Sequence, residues 1–392
     1  MKLFGIKFKK EIRFFMLIFS HIFAAILPIL IFLLYMFAKK KQRIKKNIAA
    51  FWKRQNQESL FSTNINKLQS IPEPYNFIAK IDSLRTTIQT VSLSIELGLF
   101  HFLKRNPGVT KEEIKKYLDF SERTINALIE VLLASDVIKI FQNGYSLTAR
   151  AELYLLEESP FFQPLPPASL AKRFIKVAKS GIVKGAVNKW NKGKSSNSIR
   201  WSLKQHEYSF PLGFAISDSE AIKGKNVLDV AGGTGAVCIA LAQKNSTLNL
   251  KMIELPQSVG IAKKMIAQYK LSDRIECIGM DMFNSDWPKD NDTIMFTNIF
   301  HDWDNKHCTI LADNAFTSLN PGGTILINEA LLYEDKPGPL WTAHWSMTMA
   351  LTMKGKQFRF NELKSILESA GFKNIKQQPL LGYYSTISGI KI

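Results

Sequence analysis

The sequence predicts an α/β fold, a mostly parallel sheet with helices on both faces, preceded by a mainly helical domain and an N-terminal transmembrane helix. Three observations support this prediction. From residue 224 onward, short apolar runs alternate with helical patterns, as in sheets built from β-α units. Residues 75–158 place apolar residues at helical spacing and end in a hairpin signal. Residues 14–38 carry no formal charge.

The uncharged run at residues 14–38 is long enough to cross a membrane. As a helix it would span about 37 Å, and the hydrocarbon core of a bilayer is about 30 Å thick. A cleaved signal peptide and a buried or interfacial helix are the alternatives. The run is too long for a signal peptide, and lysines follow it where a small-residue cleavage site is expected. We therefore predict a retained anchor with its basic flank over residues 1–52, then a linker over residues 53–74.

The basic residues of the chain are concentrated around this anchor. Residues 1–54 hold thirteen Lys and Arg residues and one acid, so most of the net charge of +19 lies there. This distribution does not predict nucleic-acid binding. Six basic residues follow the anchor and five precede it. This small bias favours an orientation with the catalytic domain in the cytoplasm. We therefore predict a single-pass membrane protein with a cytoplasmic catalytic domain. Three scattered cysteines without disulfide or zinc spacing fit a reducing compartment.

The helical domain at residues 75–158 combines two helices with a hairpin. Thr110 and Glu113 have the spacing of a capping box, and Asn143-Gly144 predicts the hairpin turn. This order is that of a winged helix, a fold that often binds DNA. The second helix carries a net charge near −1, from Glu122, Arg123 and Glu130, which does not suit a phosphate backbone. We expect a packing or dimerisation module.

The C-terminal domain, residues 223–392, follows connecting helices at residues 159–222. Its strands are predicted near residues 226–231, 248–254, 274–279, 292–297 and 323–329. Its helices are predicted near residues 235–244, 257–270 and 305–319. The end of the chain predicts two further strands that form an antiparallel hairpin on the sheet.

The first strand of this sheet runs into a glycine loop, "NVLDVAGGTGAVCIALAQ". Gly233 and Gly235 begin a dinucleotide fingerprint, but Cys238 stands where its third glycine would be. Glu254, at the end of the second strand, is placed to accept hydrogen bonds from both hydroxyls of a ribose. No phosphate-binding Gly-Lys-Ser/Thr follows, which argues against a triphosphate. An adenosine ligand without pyrophosphate fits, and S-adenosylmethionine (SAM) is such a ligand.

The third strand ends at Asp281 and Met282. The aspartate suits the adenine amino group and the methionine suits the ring face. Alternatively, Glu254 and Asp281 are ordinary acids at strand ends and Met282 belongs to the core. Because the three residues lie at successive strand ends, we favour the SAM interpretation.

His301 follows the fourth strand, at the edge where open α/β sheets bind ligands. Methyl transfer to a hydroxyl requires a base. A phenol with a pKa near 10 and an imidazole with one near 6.5 differ by about 3.5 units, or roughly 5 kcal/mol. Glu329, at the end of the adjacent fifth strand, would lessen this gap by stabilising the imidazolium. Asp302 is predicted to support this pair. A half-buried structural histidine is the alternative.

Two further groups of side chains carry weaker signals. His307 and Cys308 lack other ligands at metal-binding spacing, so no metal site is predicted. Several others either line a pocket for a flat, apolar acceptor or pack in the core: His206, His344, Trp341, Trp345, Met347 and Met349.

Six motifs occur in a characteristic order: "LDVAGGTG", "MIELP", "GMDMF", "NIFHDWDNKHC", "NPGGTILINEALL" and "ESAGF". With them, residues 75–392 resemble the O-methyltransferase family that includes plant caffeate and isoflavone, animal acetylserotonin and bacterial polyketide methyltransferases. The resemblance implies a Rossmann-like class I methyltransferase sheet, a winged-helix dimerisation domain, an intertwined homodimer and SAM as cofactor.

The resemblance also assigns residues. Those implied to bind the cofactor are Ala231, Gly232, Gly233, Gly235, Glu254, Asp281, Met282 and Asn298. Those implied to act in catalysis are His301, Glu329 and Asp302. Some positions depart from the family pattern. Ala231 stands where the family has a glycine, and Glu254 stands where it has an aspartate. Thr297 or Asn298 occupies the position of a Lys or Arg found in many relatives. The position of a second acidic residue, which flanks the histidine in plant members, falls near Gln357.

We therefore expect a membrane-anchored, SAM-dependent O-methyltransferase that acts on a hydroxyl of a small, aromatic or lipophilic molecule, with the connecting helices lining the acceptor site. Two alternatives remain. One is a SAM-binding relative that catalyses a different reaction, and the other is a non-catalytic, membrane-anchored winged-helix scaffold.

Overall fold

A computed structural model describes residues 74–392 apart from 160, 163–164, 166–170, 181–195 and 284–285, together with Gln42 and Lys46. The predicted anchor at residues 14–38 and most of its flanks and linker lie outside these described residues. Within the described part, no helix is both long enough and apolar enough to cross a membrane.

Residues 74–180 form a helical part with a two-stranded hairpin, which we call the N-terminal part. Its helices are α1 (Pro74–Glu96), α2 (Leu99–Arg105), α3 (Lys111–Leu118), α4 (Glu122–Ala134), α5 (Ala149–Leu155) and α6 (Ala171–Ser180). Its hairpin joins β1 (Ile138–Phe141) and β2 (Gly144–Leu147). The predicted capping box is confirmed, because the Thr110 hydroxyl accepts from the Glu113 backbone N–H and the Glu113 carboxylate accepts from the Thr110 backbone N–H.

The hairpin turn lies one residue earlier than predicted. Gln142 and Asn143 occupy the turn, with φ angles of 49° and 64°. Gly144 instead pairs with Phe141 as the first residue of β2. A Cβ atom on Gly144 would collide with the backbone of Gly108, which runs alongside the hairpin. The glycine is therefore required by the close approach of another chain segment and not by the turn.

The rest of the described chain forms a seven-stranded mixed sheet with helices packed on it, and confirms the predicted α/β fold. The strands are β3 (Asn226–Val230), β4 (Asn249–Glu254), β5 (Ile275–Gly279), β6 (Asn291–Thr297), β7 (Leu319–Ala330), β8 (Lys373–Pro379) and β9 (Tyr384–Ile390). The helices are α7 (Ser196–Asp218), α8 (Ala236–Lys244), α9 (Val259–Gln268), α10 (Asn305–Ser318), α11 (Leu340–Thr352) and α12 (Phe360–Ser369).

The strands lie in the order β5-β4-β3-β6-β7-β9-β8. The first five are parallel, and β9 is antiparallel to both β7 and β8, as predicted for the end of the chain. The chain builds outward from β3 in one direction and then, from β6, in the other. Such a reversal opens a crevice at the carboxyl ends of the two central strands, where ligands bind in open α/β sheets.

Helix α11 joins the sheet to the N-terminal part. Ala343, Met347 and Ala350 on one side of α11 belong to the same apolar core as Leu128 and Leu132 of α4. The opposite side of α11 faces the carboxyl edge of the sheet, where its Trp341 contacts the Tyr384 ring with centroids 5.7 Å apart. The N-terminal part therefore packs directly behind one wall of the crevice.

Candidate active site

A cavity of about 860 Å³ occupies this crevice. Its floor consists of the loop after β3 and the carboxyl ends of β4, β5 and β6. Residues of α7 and α11 close it from the other side. Nine of the residues assigned from the sequence lie along its wall: Ala231, Gly232, Gly233, Glu254, Asp281, Met282, Asn298, His301 and Asp302. The other two assigned residues, Gly235 and Glu329, are not part of this wall.

The glycine loop leaves room for a ligand at Gly233. Its backbone is left-handed (φ 61°), and no atom lies within 4 Å of the position that a Cβ would occupy. Gly235, also assigned to the cofactor from the sequence, is not among the residues that line the cavity. It precedes α8 with φ 77°, and a Cβ there would meet the Ile266 side chain at 3.0 Å. Gly235 therefore permits packing behind the loop, while Gly233 exposes the backbone to the cavity.

Glu254 lies beside this opening with its carboxylate already oriented. One oxygen accepts a hydrogen bond from the Gly233 backbone N–H at 2.9 Å, and the other accepts from the Leu255 N–H at 2.8 Å. Burial raises the pKa of this carboxyl group, while both backbone donors oppose the shift. Since each carboxylate oxygen accepts more than one hydrogen bond, both oxygens retain capacity for the two hydroxyls of a ribose.

The remaining assigned residues on this side border the same space. Asp281 accepts a hydrogen bond from the Phe283 backbone N–H at 2.9 Å, which holds its loop at the end of β5. Met282 follows it on the cavity wall. Ala231 adopts φ 57° at the start of the glycine loop, a conformation that favours glycine. The turn is thus formed with an alanine in a conformation that favours glycine.

Asp229 is a site residue that the sequence interpretation missed. It lies on β3, is only 1% exposed and borders the cavity below the glycine loop. Burial raises the pKa of its carboxyl group to about 7, and the Cys238 thiol donates to it at 3.5 Å. A Cβ on Gly232 would collide with this carboxylate. The available signal was a charged residue within an apolar strand, which predicts a partner because an unpaired buried charge is costly.

His301 lies in a 3-10 turn, Phe300–Asp302, directly after β6. Its Nδ1 atom is 2.7 Å from Oε2 of Glu329, and its backbone N–H donates to the other carboxylate oxygen at 3.3 Å. On the other side of the ring, Nε2 is 3.4 Å from Oδ1 of Asp302. Glu329, which is 1% exposed, sits behind the ring and orients it, as predicted for the pair.

The charges around this imidazole determine its protonation. Burial alone would lower the pKa of His301, but Glu329 and Asp302 outweigh that effect and raise it to about 9. Burial raises the pKa of Asp302 to about 6, although His301 opposes the shift. The side chain of Gln357, buried and uncharged, lies 3.1 Å from Nδ1 of His301. The imidazole is therefore flanked by two carboxylates and an amide.

The far end of the cavity is largely aromatic. Trp341, Trp345 and Met349 of α11 line it together with Tyr384. The phenol of Tyr384 is hydrogen-bonded to the side chain of Asn298. The sequence left open whether the α11 side chains line a pocket or pack in the core, and the helix faces decide between these alternatives.

Residues on the other faces are not part of the cavity wall. Met347 packs in the core of the N-terminal part. His344 makes a 3.1 Å hydrogen bond with Thr86 of α1. His206 of α7 makes a 2.8 Å hydrogen bond with the Thr234 hydroxyl of the glycine loop, and burial lowers its pKa to about 4. His206 therefore supports the loop as a neutral imidazole.

Comparison with known proteins indicates the class of domain that contains this cavity. Residues 209–373 match the model of the O-methyltransferase domain. This part of the chain is therefore similar to O-methyltransferase domains. Its cofactor is SAM, and the cradle at Gly233 with the Glu254 carboxylate beside it fits an adenosine of that kind.

Individual relatives include both an O-methyltransferase and a C-methyltransferase. The 3-hydroxy-5-methyl-1-naphthoate 3-O-methyltransferase of Streptomyces sahachiroi is 25% identical over 318 residues, covering 77% of this chain and 91% of the relative. The L-tyrosine C(3)-methyltransferase of Streptomyces lavendulae is 25% identical over 316 residues, covering 73% and 84%. Among solved structures, an O-methyltransferase family 2 protein from Planctomyces limnophilus in complex with apigenin shares the fold, with a TM-score of 0.69, 24% identity, and coverage of 82% and 97%.

Proposed function

We propose that the chain methylates a hydroxyl of a small aromatic molecule and that His301 is the general base. The observation that carries this proposal is the pairing of His301 with the buried Glu329 on the wall of a cavity that also contains the SAM cradle. The aromatic wall of Trp341, Trp345 and Tyr384 suits a flat acceptor. Two relatives are named for aromatic compounds, a hydroxynaphthoate and tyrosine.

The residues of the chain divide the work of the reaction. SAM, when bound, supplies an electrophilic methyl group. Glu254 would hold the ribose hydroxyls, Asp281 and Met282 would hold the adenine, and Asp229 would offer a carboxylate to a cationic group of the cofactor. Holding the acceptor in line with the methyl group makes the step effectively unimolecular. This arrangement leaves one chemical task for the chain, which is to take the proton of the acceptor hydroxyl.

Nε2 of His301 takes that proton, while Nδ1–H stays bonded to Glu329. An imidazole with a pKa of about 9 is within about one unit of a phenol with one near 10, so proton transfer is nearly balanced. The same raised pKa keeps nearly all of His301 protonated at neutral pH. Glu329 and Asp302 thus strengthen the base but reduce the fraction that is ready to act.

A panel of acceptors tests the proposal. The full-length protein is incubated with SAM and a phenol: 3-hydroxy-naphthoate, N-acetylserotonin or tyrosine. Mass spectrometry is expected to find a product heavier by one methylene, and NMR is expected to place the methyl group on oxygen. A methyl group on carbon would support the alternative that the C(3)-methyltransferase relative suggests. No calorimetric binding of SAM would support the non-catalytic scaffold.

The pH dependence of the reaction follows from the raised pKa of His301. Only the neutral imidazole accepts a proton, and its pKa is raised to about 9. We therefore expect kcat/KM to rise with pH up to about 9 and to level above it. Asp302→Asn removes one flanking charge and should move this midpoint downward, while Asp304→Asn, an exposed acid bonded to His307, should not. A profile that is flat from pH 6 to 10 would exclude His301 as the base.

We also propose that the N-terminal part is a winged-helix module through which two copies of the chain associate. Ile81, Leu84 and Ile88 on α1 are 49%, 52% and 40% exposed and lie at the spacing of one helix face. A second copy presents the same apolar stripe, so the two stripes can cover each other. Light scattering should find a dimer that Leu84→Asp weakens, whereas Leu153→Asp, at an exposed leucine of α5, should leave the dimer unchanged.

The anchor predicted at residues 14–38 leads to a further proposal, in which the catalytic domain is held at the cytoplasmic face of a membrane. Tethering concentrates the enzyme where a lipophilic acceptor partitions. Deleting residues 1–50 should therefore lower methylation of the acceptor in cells while leaving kcat in solution unchanged. Equal cellular turnover with and without these residues would contradict the tethering role.

A further inference from the structure

Arg123 of α4 links the N-terminal part to the chain segment that packs against the catalytic turn. The segment it contacts follows α11 and comprises residues 353–357, which we call the bracing segment. We propose that Arg123 is a positioning residue for His301 and Asp302 and that it acts through the bracing segment. This inference rests on the proposed function, because it assigns the N-terminal part a share in the alignment of the catalytic base.

The guanidinium of Arg123 holds the carboxyl end of α11. Its Nη2 donates to the Ala350 carbonyl at 3.0 Å, and its Nη1 donates to the carbonyls of Met353 and, at 3.5 Å, of Gly355. The last carbonyls of a helix have no partners within the helix and carry partial negative charge. A half-buried cation with several donors therefore stabilises both the end of α11 and the first residues of the bracing segment.

The bracing segment in turn fixes the backbone of the catalytic turn. The backbone N–H groups of Lys354 and Gly355 both donate to the Asp302 carbonyl at 3.1 Å. A Cβ on Gly355 would collide with the His301 carbonyl and with the backbone of Trp303. The two chain segments are therefore packed against each other without room for a side chain.

The bracing segment also contacts the base directly. Gln357 lies 3.1 Å from Nδ1 of His301, and its backbone N–H donates to the Ser346 hydroxyl of α11 at 3.3 Å. A shift of the segment would move the amide away from the imidazole and the carbonyl of Asp302 away from its two donors. Small misplacements of a catalytic group lower rates by up to about 10²-fold.

A second contact joins the N-terminal part to the C-terminal domain. It makes it possible to distinguish a residue that positions His301 from one that only holds the two parts together. Glu130, also on α4, forms an ion pair with Arg359. Arg359 lies beyond the bracing segment, at the start of α12, so this ion pair holds the parts together without touching the Asp302 carbonyl or its donors. Glu130→Gln is therefore the matched control for Arg123→Ala. Arg150→Ala is a second control, because it removes an exposed arginine of the N-terminal part.

The test measures the imidazole itself. In full-length protein labelled with ¹³C-histidine, the His301 signal is identified by its loss in His301→Gln and titrated by NMR. Arg123→Ala should admit water and screen the flanking carboxylates, which moves the His301 midpoint down by about one unit towards its ordinary value. With an accepted phenol, kcat should fall about tenfold or more, and calorimetric affinity for SAM should stay unchanged.

Two results would overturn the inference. One is that Arg123→Ala keeps the wild-type His301 titration midpoint and the wild-type kcat. The other is a change of the same size in the midpoint and kcat of Glu130→Gln, which would show that Arg123 only helps to hold the two parts together. If Arg123→Ala does not fold, Arg123→Lys carries the test, because it keeps the charge but loses the planar fork, and an unchanged midpoint there would count against the inference. Titration needs no acceptor, so failure of the proposed reaction is seen separately.

Discussion

Replacing His301 with glutamine is expected to lower kcat by about 10²- to 10⁴-fold, the usual contribution of a positioned general base. Glutamine keeps much of the size of the side chain but has no basic nitrogen. The SAM cradle consists of other residues, Gly233 and Glu254 among them, so calorimetric affinity for SAM should stay at the wild-type value. The control is His101→Gln, which alters a histidine that pairs with Glu158 outside the cavity.

The pH dependence of this variant gives an independent check. As the pH approaches 10, a phenol loses its proton without help from the protein. Below pH 9 the wild-type rate also rises with pH, because His301 must lose its own proton, so the deficit of His301→Gln should stay nearly constant there. Between pH 9 and 10 the deficit should shrink, because the substrate supplies what the missing base would have produced. A deficit of the same size at pH 7 and at pH 10 would indicate that His301 has a structural role.

The sheet was predictable because buried parallel strands leave a strong pattern. Each predicted strand of the alternating region has a counterpart from β3 to β7, and the acids at the ends of β4 and β5 lie on the cavity wall as expected. The main boundary difference is β7, which begins at Leu319, because this residue pairs with Asn291 across an irregularity in the register. The sequence pattern does not encode such irregular pairing.

The acceptor wall was not predictable for a different reason. Met347 and Met349 are two residues apart on α11, yet one is in the core of the N-terminal part and the other borders the cavity. Both environments are apolar, so hydrophobicity does not distinguish them. The contact of Arg123 with the end of α11 spans about 230 residues of sequence. Nothing in the local pattern of α4 indicates where its cation points.

Replacing Glu254 with alanine is expected to weaken SAM binding by about 10²- to 10⁴-fold. A hydrogen bond to a charged group contributes about 1.5–3 kcal/mol, and two ribose hydroxyls face this carboxylate in the proposed complex. Alanine also removes the acceptor for the Gly233 and Leu255 backbone N–H groups, which would disturb the loop that cradles the adenosine. Calorimetric titration of SAM into the full-length variant measures the effect.

Two matched variants separate the ribose contact from loop support. Glu254→Gln keeps the shape of the side chain and one carbonyl acceptor. Its affinity for SAM should therefore lie between those of Glu254→Ala and the wild type. Glu276→Gln alters an exposed acid on the neighbouring strand β5 and should leave the SAM affinity unchanged. If Glu254→Ala bound SAM with wild-type affinity, the ribose would not lie against this carboxylate. Equal losses in Glu254→Ala and Glu254→Gln would show that the negative charge, and not the geometry of the acceptors, determines binding at this strand end.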